Sequence, residues 1–278
     1  MSDDAIPKFS GETGAGGGAG ISRVSLSGGL GGGAAEAAVI ALVAVVVIGG
    51  LEVLLRWNEV PAYILPTPSA IGAAFVKEFW LILPHWGHTV VVLGAGFAIG
   101  AGVGLLLAAV ITQFPFVEKV VTPYILVLVT TPMLALVPLL ILRFGFGYEP
   151  RIIAVALASG PMVMINAATG FRRTDSAKIA LARSYGASTL QIFWKVRAPM
   201  ALPMILVGLM IGAIFGMLTA VGAEMVGGGF GLGNRLTTYS SMINMPEFFA
   251  VILILSAMGI AIYVTFFLIG KKWASWET

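Results

Sequence analysis

The stretch Arg172–Pro203, RRTDSAKIALARSYGASTLQIFWKVRAPMALP, interrupts a chain that is otherwise strongly apolar. It holds six of the sixteen lysines and arginines (Arg172, Arg173, Lys178, Arg183, Lys195 and Arg197) against one acid, Asp175. Cations concentrated between apolar runs mark a cytoplasmic loop of a membrane protein, because positive loops stay inside. The loop itself has a helix–glycine–helix pattern. From Asp175 to Tyr185, Ile179, Ala180 and Ala182 are small or apolar, while Lys178 and Arg183 are charged. Gly186 stops that helix, since the residue past a helix end often needs positive φ. Ser188 caps a second short helix that sets Ile192, Phe193 and Val196 on one face. Pro199 and Pro203 close the loop and reopen the membrane run, where proline suits a first turn. Two readings of the loop stand. It is a solvated topology signal, or it is a contact surface, as an exposed apolar knob at Ile192-Phe193-Trp194 would require.

Composition sets the wider frame. The chain is 58% apolar and only 10% charged, whereas a soluble domain carries about 25% charged residues. The net charge of +3 comes from the quoted loop; the rest is slightly acidic, so the basic balance reflects membrane orientation rather than nucleic-acid binding. With no cysteine, disulfides and thiolate metal sites are excluded. Apolar runs occur near 34–57, 87–112, 119–143, 150–170, 200–227 and 248–270. Each can cross about 30 Å of hydrocarbon. Backbone groups in lipid must bond internally, so the runs are helices, and no alternating pattern suggests a β-barrel. The expectation is an all-α integral membrane protein with six transmembrane helices, residues 34–278. Both termini and the 171–199 loop then lie in the cytoplasm. Residues 1–33, with GETGAGGGAG and SGGLGGG, read as a disordered cytoplasmic tail. The first apolar run is longer than a signal-peptide core and reads as a retained anchor.

The spacing of Gly186, Val196 and Pro199 resembles the cytoplasmic "EAA" loop of bacterial ABC importer permeases. Ala180, Leu181 and Ala182 stand where that pattern has Glu-Ala-Ala, and Ala198 replaces the leucine before Pro199. Ala182, Arg183, Gly186 and Ala187 are similar to the nitrate/sulfonate/taurine/bicarbonate branch. So are LPTPSAI (65–71), TPMLALVPLLILRFGFG (131–147) and AEMVGGGFGLG (223–233). The resemblance implies that residues 171–199 are a coupling element, with Ala182, Arg183, Gly186, Ala187, Ser188, Ile192, Phe193, Val196 and Pro199 facing a cytoplasmic ATPase. It further implies a transmembrane permease in the bacterial inner membrane, importing a small oxyanion, sulfonate or organic molecule. The expected partners are a second copy of the chain, two ATPase subunits and an extracytoplasmic solute-binding protein. No Gly-x-x-x-x-Gly-Lys-Ser/Thr occurs, so ATP and Mg are expected on the partner ATPase, and no cofactor on this chain.

Other residues carry candidate roles. Pro132, Pro138 and Gly160-Pro161 permit kinks in the third and fourth runs. By resemblance, runs three to five line the solute path, so Pro132, Met133, Pro138, Met162, Met164 and Met217 are candidate wall residues. Glu224 lies late in the fifth run with no cation at helical spacing. A carboxylate there faces a cavity or partner, or it sits near the outer interface capped by the glycine loop. Glu52 and Arg56, at i,i+4 spacing, read as a local pair. His85 and His88 lack the further ligands a metal would need and read as interfacial hydrogen-bonding residues. No arginine stands well inside a run to mark an anion site. The competing reading is a secondary transporter driven by an ion gradient, for which Glu224 is the deep titratable candidate; a membrane scaffold without an ATPase partner is the third.

Overall fold

The computed structural model describes residues 32–273, and all regular structure among them is helical. The expected disordered tail lies outside the described residues, apart from Gly32 and Gly33, which open the first helix. The order is α1 (Gly32–Trp57), α2 (Pro68–Gln113), α3 (Pro115–Thr130), α4 (Met133–Phe144), α5 (Glu149–Arg172), α6 (Ser176–Ser184), α7 (Thr189–Ile192), a π-helical turn (Phe193–Arg197), α8 (Ala198–Gly227), α9 (Leu232–Ser241) and α10 (Met245–Trp273). Among the described residues, five helices are long and apolar enough to cross a membrane, and the bent pair α3–α4 makes a sixth if it counts as one span. By contacts, residues up to Gly49 form one unit and Gly50 onward another. The packed bundle and the basic loop both lie in the second unit.

Two spans differ from the expectation. The second helix begins at Pro68, so much of the presumed loop at 58–86 is helical. Its start is built locally: Thr67 accepts from the Ala70 amide at 3.3 Å, and Pro68 takes the first turn, where its missing N–H costs nothing. Glu52 of α1 reinforces that start by accepting from the Ser69 amide (2.9 Å) and hydroxyl (2.7 Å), placing negative charge at a helix N-terminus. Glu52 also pairs with Arg56 at 2.6 Å. Lys77, Glu78 and Pro84 make 68–86 too polar to read as a span, yet its apolar side packs Ile82 against Leu232, Leu236, Tyr239 and Val251.

The third run is not one helix. It bends by 95° between α3 and α4. Pro132 cannot donate to the Leu128 carbonyl, and its ring pushes Thr131 out of the helical region. Thr131 is accordingly extended (φ −75, ψ 126), and Pro132 follows at φ −68, ψ 102. Pro138 sits inside α4 without breaking it, as Pro161 does in α5.

The packing centres on α5, which runs between α2 and α8. On α2, Gly96, Gly100 and Gly104 recur every fourth residue; on α8, Gly208, Gly212 and Gly216 do the same. A Cβ at Gly96 would lie 2.5 Å from Val155 Cβ, and one at Gly160 would lie 3.0 Å from the Gly100 carbonyl oxygen. On the other side, a Cβ at Gly208 would meet Asn166 Cβ at 2.7 Å, and one at Gly212 would meet Val163 Cγ2 at 2.7 Å. In a membrane, where lipid is as apolar as the side chains, such close approach supplies the helix association that hydrophobicity cannot.

Gly100→Val should therefore push α2 off α5 and destabilise the fold by about 1–3 kcal/mol or more. Gly102→Val, with nothing within 4 Å of its Cβ position, should be tolerated. Thermal unfolding of the two variants in detergent reads the difference; equal behaviour would show that the crossing is not glycine-limited.

Candidate functional site

The basic loop folds as its local chemistry dictates. Asp175 caps α6 by accepting from the Ala177 amide at 2.8 Å. At the other end the Gly186 amide donates to Arg183 O (2.9 Å) and the Ala187 amide to Ala182 O (3.1 Å). That bond pair is a Schellman stop, and Gly186 has the positive φ it demands, +78. No atom lies within 4 Å of a Cβ at Gly186, so the requirement is conformational rather than steric. Ser188 and Gln191 then form a reciprocal capping box, Gln191 N to Ser188 Oγ at 3.3 Å and Ser188 N to Gln191 Oε1 at 2.8 Å.

The apolar knob needs correction. Ile192 and Phe193 are buried and only Trp194 is exposed. Phe193 packs on Phe171 with ring centroids 5.1 Å apart, in a cluster with Met164, Ala168 and Ala201. Val196 is half-buried. The exposed apolar residues are instead Leu181 on α6 and Tyr185 just past its end, and Leu190 and Trp194 on α7 and the π turn. Each pair has i,i+4 spacing, a signal present in the sequence. Ala182 and Ala187 are half-buried, while Arg183, Gly186, Ser188 and Pro199 are exposed. Pro199 does not separate loop from span: α7, the π turn and α8 form one continuous helical stretch, Thr189–Gly227. In the turn the Ala198 amide bonds to Phe193 O. Arg172 is tied to Glu118 of α3 at 2.7 Å.

A cavity of about 300 Å³ opens where α3 and α4 break, between α5 and α8. Pro132, Met133 and Met162 line it, together with Pro161, Phe215 and Leu218. None of its lining residues is charged, and its two hydroxyls, Thr131 and Thr219, donate to their own helices at Val127 O and Phe215 O. The other path candidates are elsewhere. Pro138 is exposed on α4, Met164 is buried in the cluster around Phe193, and Met217 is buried toward Gly259 of α10.

Glu224 is also away from that cavity. It is fully buried, accepting from Thr89 Oγ1 and from the Gly233 amide, both at 2.9 Å. The glycine turn between α8 and α9, Gly228–Gly231, is gripped from α5 by Arg151, which is 1% exposed. Arg151 donates to Phe230 O at 3.1 Å and to Gly228 O, and its guanidinium lies 3.8 Å from the Phe230 ring centroid. Tyr148 and His88, hydrogen-bonded to each other, flank the same ring. His85 accepts from the Gly231 amide at 3.1 Å. The two histidines thus serve different partners. Arg151 escapes a sequence reading because it stands one residue inside its run, where a cation normally reaches the membrane surface.

Apolar spans, a broken third helix, a glycine-packed centre and a structured basic loop define a multi-pass membrane permease. Residues 100–274 match the family of the binding-protein-dependent transport system inner membrane component, and the chain belongs to that family. It is an ABC importer permease subunit, and such permeases work with ATPase subunits and a binding protein. A Bacillus subtilis permease named for aliphatic sulfonates transport, SsuC, is 34% identical over 77% of this chain and 76% of its own. A Chloroflexus aurantiacus permease named for riboflavin transport, RibX, is 28% identical over 78% and 82%. The fold is similar to the solved inward-facing MetNI methionine ABC transporter, with a TM-score of 0.58 and 22% identity over 71% of this chain and 95% of that one.

Arg151→Met should leave the carbonyls of Gly228 and Phe230 unpaired and cost about 3 kcal/mol. A lowered unfolding midpoint in detergent and new protease cleavage at 227–231 would report it. An unchanged midpoint would mean the turn is held without the guanidinium.

Proposed function

We propose that two copies of this chain form the membrane part of an importer whose α6–α7 loops dock on a cytoplasmic ATPase pair. The observation that carries this reading is the loop itself. It is a capped, rigid helix–turn–helix with Leu181, Tyr185, Leu190 and Trp194 exposed, and a bare topology signal needs neither caps nor an apolar face. Ala182, Arg183, Gly186, Ala187 and Ser188 shape and surround that face, while Ile192, Phe193, Val196 and Pro199 join it to the bundle. One such loop per chain matches a two-fold ATPase dimer with two identical permeases. The sequence carries no P-loop, which supports assigning ATP and Mg to the partner.

The loop and both termini then lie in the cytoplasm, and the Gly228–Gly231 turn at the opposite end of α8 faces outward, toward the binding protein. Solute passes along the cavity beside Pro132, Met133 and Met162. Relatives named for sulfonates and for riboflavin support a small organic or sulfonate solute. The uncharged cavity wall supports leaving its selection to the binding protein.

Native mass measurement of the purified complex should show two copies of this chain with two ATPase subunits; a lone chain that transports fully would refute the assembly. Gly186→Val, forced into a φ that β-branched residues resist, should lower ATPase association and transport together by about tenfold or more, a loss of about 1.4 kcal/mol or more in coupling. Gly186→Asn, which tolerates left-handed backbone, should retain most of both. Normal association of the valine variant would reduce the loop to a topology signal.

A further inference from the structure

The turn between α8 and α9 is held partly by a group whose hydrogen-bonding sense depends on a proton. The Gly231 amide donates to His85 Nδ1 at 3.1 Å. A ring nitrogen can accept only while it is unprotonated; in imidazolium both nitrogens are donors. Protonating Nδ1 would therefore set N–H against N–H at this contact. The neighbouring restraints differ in kind. Leu232 N–H donates to Thr89 Oγ1 at 2.9 Å, and Arg151 holds the carbonyls of Gly228 and Phe230; neither side chain changes protonation in the working range. Glu224 accepts from the Gly233 amide, a bond the carboxylate keeps through its second oxygen even when the acid is protonated.

The other ionisable groups around this turn come from every packed element. His88 and Glu78 stand on α2, Tyr148 and Arg151 at the start of α5, and Glu224 on α8. Arg235 and Tyr239 stand on α9, where Tyr239 bonds Glu78 at 3.2 Å, and Glu247 opens α10. Of these, His88 is bonded to Tyr148 and touches no amide of the turn. His85 alone joins a titrating imidazole to the turn backbone among the described residues.

We infer that His85 is a proton-operated positioning residue: neutral, it seats Gly231 and the start of α9 against α2 and α8, and protonated, it releases them. Gly228, Gly229 and Gly231 all have positive φ (61, 79 and 96), so a released turn has many conformations open to it. Its release loosens the end of α8, the helix that supplies Phe215, Leu218 and Thr219 to the cavity wall. The inference rests on the bonds around the turn and is independent of the solute carried and of the ATPase-docking loop.

Hydrogen exchange of peptides covering 228–236, corrected for intrinsic rate, tests it on the full chain assembled with its ATPase, at about pH 7.5 and about pH 5.5, spanning the imidazole range. Protection in the wild type should fall about tenfold at the lower pH. In His85→Asn, whose Oδ1 stands where Nδ1 does and can accept the same amide without titrating, protection should stay at the wild type's higher-pH level at both. His88→Gln should respond as the wild type does. A flat wild-type response overturns the inference whatever the variants do. So does a His85→Asn chain that keeps the fall, or a His88→Gln chain that loses it. Should His85→Asn fail to assemble, His85→Gln replaces it with the same expected outcome and the same refutation.

Discussion

The rest of the structure depends on how closely backbones can approach across α5. In water, burying leucine and valine would hold these helices together; in lipid that drive is largely gone, because the tails are as apolar as the side chains. What remains is dispersion, which falls steeply with distance, and it is collected where glycines let whole helix surfaces touch. Gly100 and Gly160 meet backbone to backbone, and Gly212 admits Val163. With α5 fixed on both sides, Arg151 at one end and Phe171 at the other are placed by a rigid support. The first reaches the glycine turn, and the second anchors Phe193.

How much of this can be read in the sequence depends on how local the cause is. The Schellman stop at Gly186, the Ser188 cap and the Asp175 cap are set by neighbours within five residues, and they read directly. The apolar runs read as spans because lipid imposes length and composition on each one separately. Burial of Ile192 and Phe193 does not read, since Phe193 is covered by Phe171, which lies beyond α6 and the Gly186 turn. Pro132 and Pro138 look alike in sequence; one breaks a helix and one does not, because only Thr131 is driven to extended backbone. The glycine stripes at 96–104 and 208–216 are visible as four-residue spacing. Their meaning depends on α5 being the helix between them.

The polar end of the bundle shows how a membrane protein retains charge at depth. Glu224 and Arg151 do not form a simple ion pair: Arg151 grips the carbonyls of the glycine turn, while Glu224 takes the Gly233 amide at the start of α9, just beyond it. Buried charges placed in this way have their desolvation offset by hydrogen bonds to peptide groups that also need partners. A turn with three positive-φ glycines gains its shape from side chains on α2, α5 and α8.

The unbroken stretch from Thr189 to Gly227 has the length of a lever that crosses the whole membrane. Its 39 residues span about 58 Å at 1.5 Å each, roughly twice the thickness of the hydrocarbon layer. A rigid tilt of only about 5° about its middle carries each end through about 2.5 Å over that length. That displacement is comparable to a hydrogen-bond length, enough to unseat the contacts of Glu224 at one end while barely disturbing the packing near the fulcrum at Gly208 and Gly212. A displacement of the short capped helix at Thr189 would thus be returned in equal measure at Gly227, with no deformation of the core between the two ends.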